Sequence, residues 1–257
     1  MFLFFHAGKI GDCTYSLWYC RQRSNYEPFD FHLQTNVHDA HDPGKRPVFL
    51  TNEDAEYLAS ILREQSYIRN LTIGDGEGIP APDVTRVINL NLFRQAPFMY
   101  GLEEIRNWCY KLSSIKPENL DKPVLTVPES DIAPIDKVLL CITPRYQPAI
   151  PIEALKPYKD HLAYVGLGSE YDRFCRHYFP VEYQPVSSAK ELLQKAKKSK
   201  GFIGNISGQY SFMEAAAIPR ILMLPPKGGD VRPYTPNGVA VMEPHKMRSQ
   251  LESLLGA

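Results

Sequence analysis

The sequence predicts an α/β protein built of two Rossmann-like halves with parallel sheets. Short apolar runs alternate with segments of helical spacing along the chain, glycine-bearing loops follow several of those runs, and a proline-rich stretch interrupts the alternation near the middle. With 257 residues the chain is long for one core and comfortable for two of about 100–150 residues each.

The first run, Phe2-Leu3-Phe4-Phe5, reads as a strand buried on both faces, and the loop His6–Asp12 carries two glycines. Cys13–Cys20 follows with Leu17, Trp18 and Tyr19 at helical density. Phe29–Leu33 reads as a second strand. Thr51-Asn52-Glu53-Asp54 opens a helix with a capping residue and first-turn acids, and Tyr57, Leu58, Ile61 and Leu62 form one face of it. Strands are expected at Ile68–Ile73 and Val84–Leu90, and a helix near Leu102–Leu112. Between Ser113 and Pro134 stand four prolines around the short run Val124–Val127, which puts the domain boundary near residue 130. The expected domains are therefore 1–130 and 131–257, with the last helix able to pack back on the first.

The second half continues the pattern. Val138–Ile142 is a buried strand followed by Thr143-Pro144-Arg145, and Ile152–Tyr158 is helical. Leu162–Val165 is the next strand, and Gly166-Leu167-Gly168-Ser169-Glu170 opens a helix. Ser188-Ala189-Lys190-Glu191 is a capping box ahead of Leu192, Leu193 and Ala196. Gly201–Gly204 is a strand, Asn205–Gly208 a turn, Phe212–Ala217 a helix of small residues, Ile221–Leu224 a strand, and Met247–Leu255 a terminal helix. In such sheets ligands bind beyond the carboxyl ends of the strands, where these loops lie.

Lys+Arg and Asp+Glu are equal at 29 each, so no global charge draws the chain to nucleic acid or anionic membrane. The five cysteines are scattered without metal-ligand spacing, which predicts reduced thiols in a cytoplasmic protein. The apolar run before His6 is too short for a signal peptide, and no stretch of ~18–20 apolar residues could span a bilayer.

Gly204-Asn205-Ile206-Ser207-Gly208 lies between a strand and a helix. Its glycines permit close backbone approach, and a helix start offers N–H groups to an anionic diphosphate. A plain turn capped by Ser207 fits the local residues equally well. The spacing is neither GxGxxG nor a P-loop.

The run from Gly201 to Ile221 resembles the donor-site strand, loop and helix of the ADP-heptose:lipopolysaccharide heptosyltransferase family. It is closer to phage and bacterial relatives that carry G-N-Q-S and a later glutamate, whose place Glu214 takes. Ile206 stands where the heptosyltransferases have aspartate, and Ser211 where they have histidine. His6–Asp12 looks like the family's N-terminal loop, Thr143–Tyr146 like the basic loop that meets the donor diphosphate, and Tyr164–Tyr171 like its G-x-x-x-E segment.

The resemblance implies a GT-B fold, two Rossmann-like domains with parallel sheets facing a central cleft. It implies a glycosyltransferase that uses a nucleotide-diphosphate sugar as substrate, inverts the anomeric carbon and needs no metal or other cofactor. Asp12 is then the catalytic base, although aspartate at this spacing also caps helices. Arg145 is the diphosphate clamp or a surface arginine paired with an acid. Thr143, Asn205, Ser207, Gly208, Gly166 and Glu170 belong to the donor side. Glu214 is assigned a ribose or sugar hydroxyl, or the orientation of Arg145. Gly8, Lys9 and Gly11 belong to the acceptor or phosphate side, and His6 is read as structural. The partner is a hydroxyl-bearing acceptor: a glycan, a lipid-linked glycan or modified nucleic acid. Two alternatives keep the fold. One is an inactive nucleotide-binding protein, motivated by Ile206 and Ser211. The other is a DNA-base-modifying transferase, motivated by Lys190, Lys195, Lys197, Lys198 and Lys200.

Overall fold

The computed structural model describes residues 1–38, 48–75, 86–95 and 104–256. The chain divides into two compact units, Met1–Leu120 with Val124–Thr126, and Asp121–Pro123 with Val127–Ala257.

In the first unit β1 (Phe2–His6), α1 (Ile10–Arg23), β2 (Phe29–Gln34), α2 (Asn52–Leu62), β3 (Ile68–Gly74) and β4 (Arg86–Asn89) follow in order. The sheet order is β3-β2-β1-β4 and every pairing is parallel. Phe4, Phe29 and Phe31 are fully buried in its core. Phe4 meets Phe29 edge-on at 5.0 Å and Tyr19 of α1 at 6.4 Å. The thread Val124–Thr126 is no strand. It is held by Tyr67 Oη donating to Val124 O and by Gln65 bonding both ways with Thr126.

Three expectations shift here. The first helix starts at Ile10 rather than Cys13, so Gly11 and Asp12 lie in its first turn, with the Asp12 carboxylate accepting from the Lys9 N–H at 3.1 Å. The strand expected at Val84–Leu90 is Arg86–Asn89 within the described residues, and residues 84 and 85 lie outside them. The helix near Leu102–Leu112 becomes a 3₁₀ turn, Ile105–Asn107, followed by α3 (Trp108–Ser113), and residues 102 and 103 lie outside the described residues.

The second unit holds β5 (Ile135–Cys141), β6 (Leu162–Tyr164), α4 (Gly168–His177), β7 (Glu182–Tyr183), α5 (Ala189–Lys198), β8 (Ser199–Gly204), α6 (Gly208–Ala215), β9 (Arg220–Met223), β10 (Gly238–Val241) and α7 (Pro244–Leu255). Its six strands run parallel in the order β10-β9-β8-β5-β6-β7. Ile152–His161 is a 3₁₀ helix, not an α-helix, because Pro157 inside it lacks the N–H that an α-turn requires. Two strands are absent from the sequence reading: β7, of two residues, and the edge strand β10, in which only Val241 is buried. The helix α6 begins four residues earlier than expected because the Ser207 hydroxyl accepts the Tyr210 N–H and fixes its start. Met247 and Leu251 of the last helix are buried in the second unit's core with Val138, Ile203, Ile221 and Val241.

All five cysteines are free thiols, and no helix among the described residues is long and apolar enough to cross a membrane.

His32 of β2 is buried. Its Nδ1 shares a hydrogen bond with Thr72 Oγ1 at 2.8 Å, and its Nε2 has no hydrogen-bond partner among the described residues. Burial lowers its pKa, against the opposing influences of the Gly74 backbone and the Asp75 charge. The unfolded chain then binds the extra proton more readily. This stability is complete above the unfolded value near ~6.5 and falls as the pH drops through the window below it. Urea unfolding at pH 7.5 and 5.5 should show a smaller acid loss in His32→Gln than in wild type.

Candidate functional site

In a parallel sheet the crevice for a ligand opens where consecutive connections turn to opposite sides. The second sheet grows from β5 through β6 to β7 on one side and from β8 through β9 to β10 on the other. Its switch point therefore lies between the adjacent ends of β5 and β8, where Cys141 pairs with Gly204. The loops leaving these ends are Ile142–Tyr146 and Asn205–Ser207.

Arg145 is exposed on the first of these loops. Its guanidinium carbon lies 5.0 Å from the centroid of the Tyr146 ring, and it makes no ion pair among the described residues. Thr143 donates its N–H and hydroxyl to Asn205 Oδ1 at 3.0 and 3.3 Å. Ser207 caps α6, and Gly208 is that helix's first residue.

Beside this loop an open depression of about 390 Å³, solvent at its mouth included, is lined by Thr143, Pro144, Gln147, Glu170, Arg173, Phe174, His177 and Tyr178 with Ile142. Gly166 turns the chain into it at φ 141°, a conformation closed to ordinary side chains. A Cβ there would stand 3.3 Å from Glu170 Oε2 and from the Tyr164 ring. The carboxylate of Glu170 thus folds back against its own loop. Burial first and then the Glu170 charge push the Cys141 thiol well above its usual range. Burial, with Cys141 and then Glu170 behind it, raises Tyr164.

Two expected donor-side residues are corrected. Asn205 is fully buried, and its amide is engaged entirely with protein. Besides accepting from Thr143, its Nδ2 donates to Thr143 O at 2.7 Å and Tyr146 O at 2.6 Å. Glu214 is also fully buried and neither touches nor orients Arg145. Its Oε2 accepts from Nε and Nη2 of Arg220, and its Oε1 accepts the N–H groups of Tyr234 and Thr235 at 2.9 and 3.0 Å. A carboxylate buried near the end of a helix needs a cation and several N–H groups, and Arg220 with the 234–235 backbone supplies them.

The departures from the heptosyltransferase pattern have structural roles as well. Ile206 is buried, and its Cδ1 lies where a Cβ of Gly229 would stand. The Ser211 hydroxyl donates to Gly208 O.

In the first unit the sheet turns between β1 and β4. There the loop after β1 is bound by side chains: the N–H groups of Ala7, Gly8 and Lys9 donate to Asn91 Oδ1, His6 Nδ1 and Asp12 Oδ2. A Cβ on Gly8 would lie 2.3 Å from the His6 ring and 2.6 Å from Asp12 Cβ, so only glycine fits between them. A Cβ on Gly11 would meet nothing within 4 Å. Asp12 and His6 share a small pocket with Ser16, Ile105, Trp108 and Cys109. Burial, and then the Asp12 charge, push the Cys109 thiol up to about 12. His6 is buried and structural in the sense that its ring braces the loop.

Among solved structures, a glycosyl transferase family 9 protein from Veillonella parvula matches 99% of this chain over 96% of its own, with TM-score 0.62 at 10% identity. The E. coli heptosyltransferase WaaC with ADP-2-deoxy-2-fluoro heptose matches 98% of this chain over 99% of its own, with TM-score 0.61 at 12% identity. The same enzyme with ADP gives TM-score 0.62 at 11% identity. The fold is GT-B. No protein-family model matches the sequence, and a search of curated proteins finds no relative. Identities this low carry the GT-B fold and leave activity to the site.

Within that GT-B frame, sequence reasoning missed Arg220, Tyr146 and the Gln34–Asn91 bond at the end of the first sheet. The only textual signal for Arg220 is its position directly after Pro219, where a strand begins. Three of the five lysines between 190 and 200 are paired with acids: Lys195 of α5 with Glu191, Lys197 of α5 with Glu129, and Lys200 of β8 with Asp136.

Because Glu214 leaves a buried guanidinium behind when it is removed, Glu214→Ala should destabilise the protein by about 3–5 kcal/mol in denaturant unfolding. A change under ~1 kcal/mol would contradict its structural assignment.

Proposed function

We propose that the chain is a glycosyltransferase that moves a sugar from a nucleoside-diphosphate sugar to an acceptor hydroxyl. The observation that supports this best is Arg145. In a GT-B fold matched over nearly the whole chain, it stands exposed on a switch-point loop with no acid beside it among the described residues. The structures of WaaC with ADP and with its fluorinated ADP-heptose support a nucleotide sugar as the donor class.

In this reading Arg145 binds the diphosphate oxygens through its paired N–H groups. Thr143 and the start of α6 at Ser207 and Gly208 add further donors and a positive dipole end. Gly166 and Glu170 flank the nucleoside in the adjoining depression. The acceptor oxygen bonds to the anomeric carbon on the face opposite the departing diphosphate, so the configuration inverts. Its proton passes to Asp12, and the diphosphate leaves with the electron pair of the broken bond. Asp12 caps α1 through one carboxylate oxygen and lines the small pocket it shares with His6. Gly8, Lys9 and Gly11 shape the acceptor side. The positive groups around the diphosphate take the part a metal plays elsewhere.

A second reading, a binding protein of the same fold, is favoured by Ile206 and Ser211. Both face protein rather than the loop's open side, Ile206 on Gly229 and Ser211 on Gly208 O.

A thermal-shift panel of ADP, GDP, UDP, CDP and their sugar conjugates tests the donor site. One nucleotide should raise Tm by mass action, and Arg145→Ala should reduce its affinity about tenfold. With that donor and a pool of glycan acceptors, wild type should turn over in EDTA while Asp12→Asn binds donor and does not turn over. Donor binding without turnover in wild type selects the second reading. No shift with any nucleotide overturns both.

A further inference from the structure

We infer that Asn205 is a positioning residue: it fixes the Thr143–Tyr146 turn, and with it Arg145, in the geometry that receives the donor diphosphate. This rests on the donor reading given above. The ladder between β5 and β8 ends at the Cys141–Gly204 pair. Beyond that pair the two loops part, and no β-sheet bond holds them. Asn205 is the first residue past β8, and its side chain reaches across the gap.

The valence of the amide is complete. Its oxygen accepts two hydrogen bonds from Thr143, and its two N–H bonds go to the carbonyls of Thr143 and Tyr146. Those partners are the two ends of a four-residue turn whose third residue is Arg145. The ring over which Arg145 lies belongs to Tyr146, the residue whose carbonyl the amide holds. Asn205 is fully buried with every bonding position filled, so it has nothing left to offer a ligand directly. Its effect on binding must pass through the turn.

Positioning and direct contact predict different couplings. Were Asn205 a ligand group in its own right, its loss and the loss of Arg145 would add. When one residue acts by placing the other, the second loss costs little after the first. Isothermal titration with ADP, GDP, UDP and CDP should compare wild type, Arg145→Ala, Asn205→Ala and the double variant. Asn205→Asp belongs in the same set, since it keeps the shape and both acceptor contacts but loses both donor contacts. Leu192→Ala serves as the control, a buried α5 residue away from the turn.

Asn205→Ala should weaken the bound diphosphate about tenfold, with Asn205→Asp close to it. Leu192→Ala, destabilised by a core cavity, should stay within about twofold. In the Asn205→Ala background, Arg145→Ala should cost less than about threefold more. If Asn205→Ala does not fold, Asn205→Asp carries the same cycle. Additive losses, or unchanged affinity in both Asn205 variants, overturn the inference and leave the donor reading standing. Wild type that binds none of the four diphosphates overturns both.

Discussion

Parallel pairing is the constraint on which the rest of this structure depends. Parallel strands cannot be joined by tight hairpins, so every connection crosses over the sheet and every strand releases its chain at the same end. With the order β3-β2-β1-β4 in one unit and β10-β9-β8-β5-β6-β7 in the other, each sheet has one place where outgoing loops separate. Side chains close what the ladders leave open at both places. In the first unit Asn91, His6 and Asp12 hold the N–H groups after β1. In the second, the amide of Asn205 joins the loops after β5 and β8.

The same physics separates scaffold from candidate chemistry among the polar residues. A buried charge persists only where its bonding positions are filled, and Glu214 and Arg220 fill one another's together with the backbone from Ile218 to Pro236. Their pair pins the chain that leads into β10. Arg145 is the contrary case: solvent meets its charge, and an aromatic face is its ring partner. A guanidinium that no acid pairs with among the described residues is available to an anionic ligand, which is why the functional proposal is built on it rather than on Glu214.

Much of the fold was legible because strands buried on both faces leave continuous apolar runs, as at Phe2–Phe5 and Val138–Ile142, and because caps such as Thr51 and Ser188 announce their helices. Elements without a period were not legible: Glu182–Tyr183 has two residues, and Gly238–Val241 is an edge strand behind a loop. The helix ending in Ser113 was blurred by its 3₁₀ entry. At the site, positions were legible and roles were not. Asn205 and Glu214 sit in ligand-like contexts in the text, yet each is satisfied by partners 59 to 62 and 6 to 21 residues away in the chain. Long-range hydrogen bonds of that kind leave no local pattern to read.

The central claim is that the switch point of the second sheet receives the donor's diphosphate. Hydrogen–deuterium exchange of the wild-type protein, with and without a saturating nucleoside diphosphate, tests it most directly. The account predicts slowed exchange confined in the second unit to peptides covering Ile142–Tyr146, Gly166–Glu170 and Asn205–Gly208. Protection that bypasses all three segments while binding is saturated would contradict it.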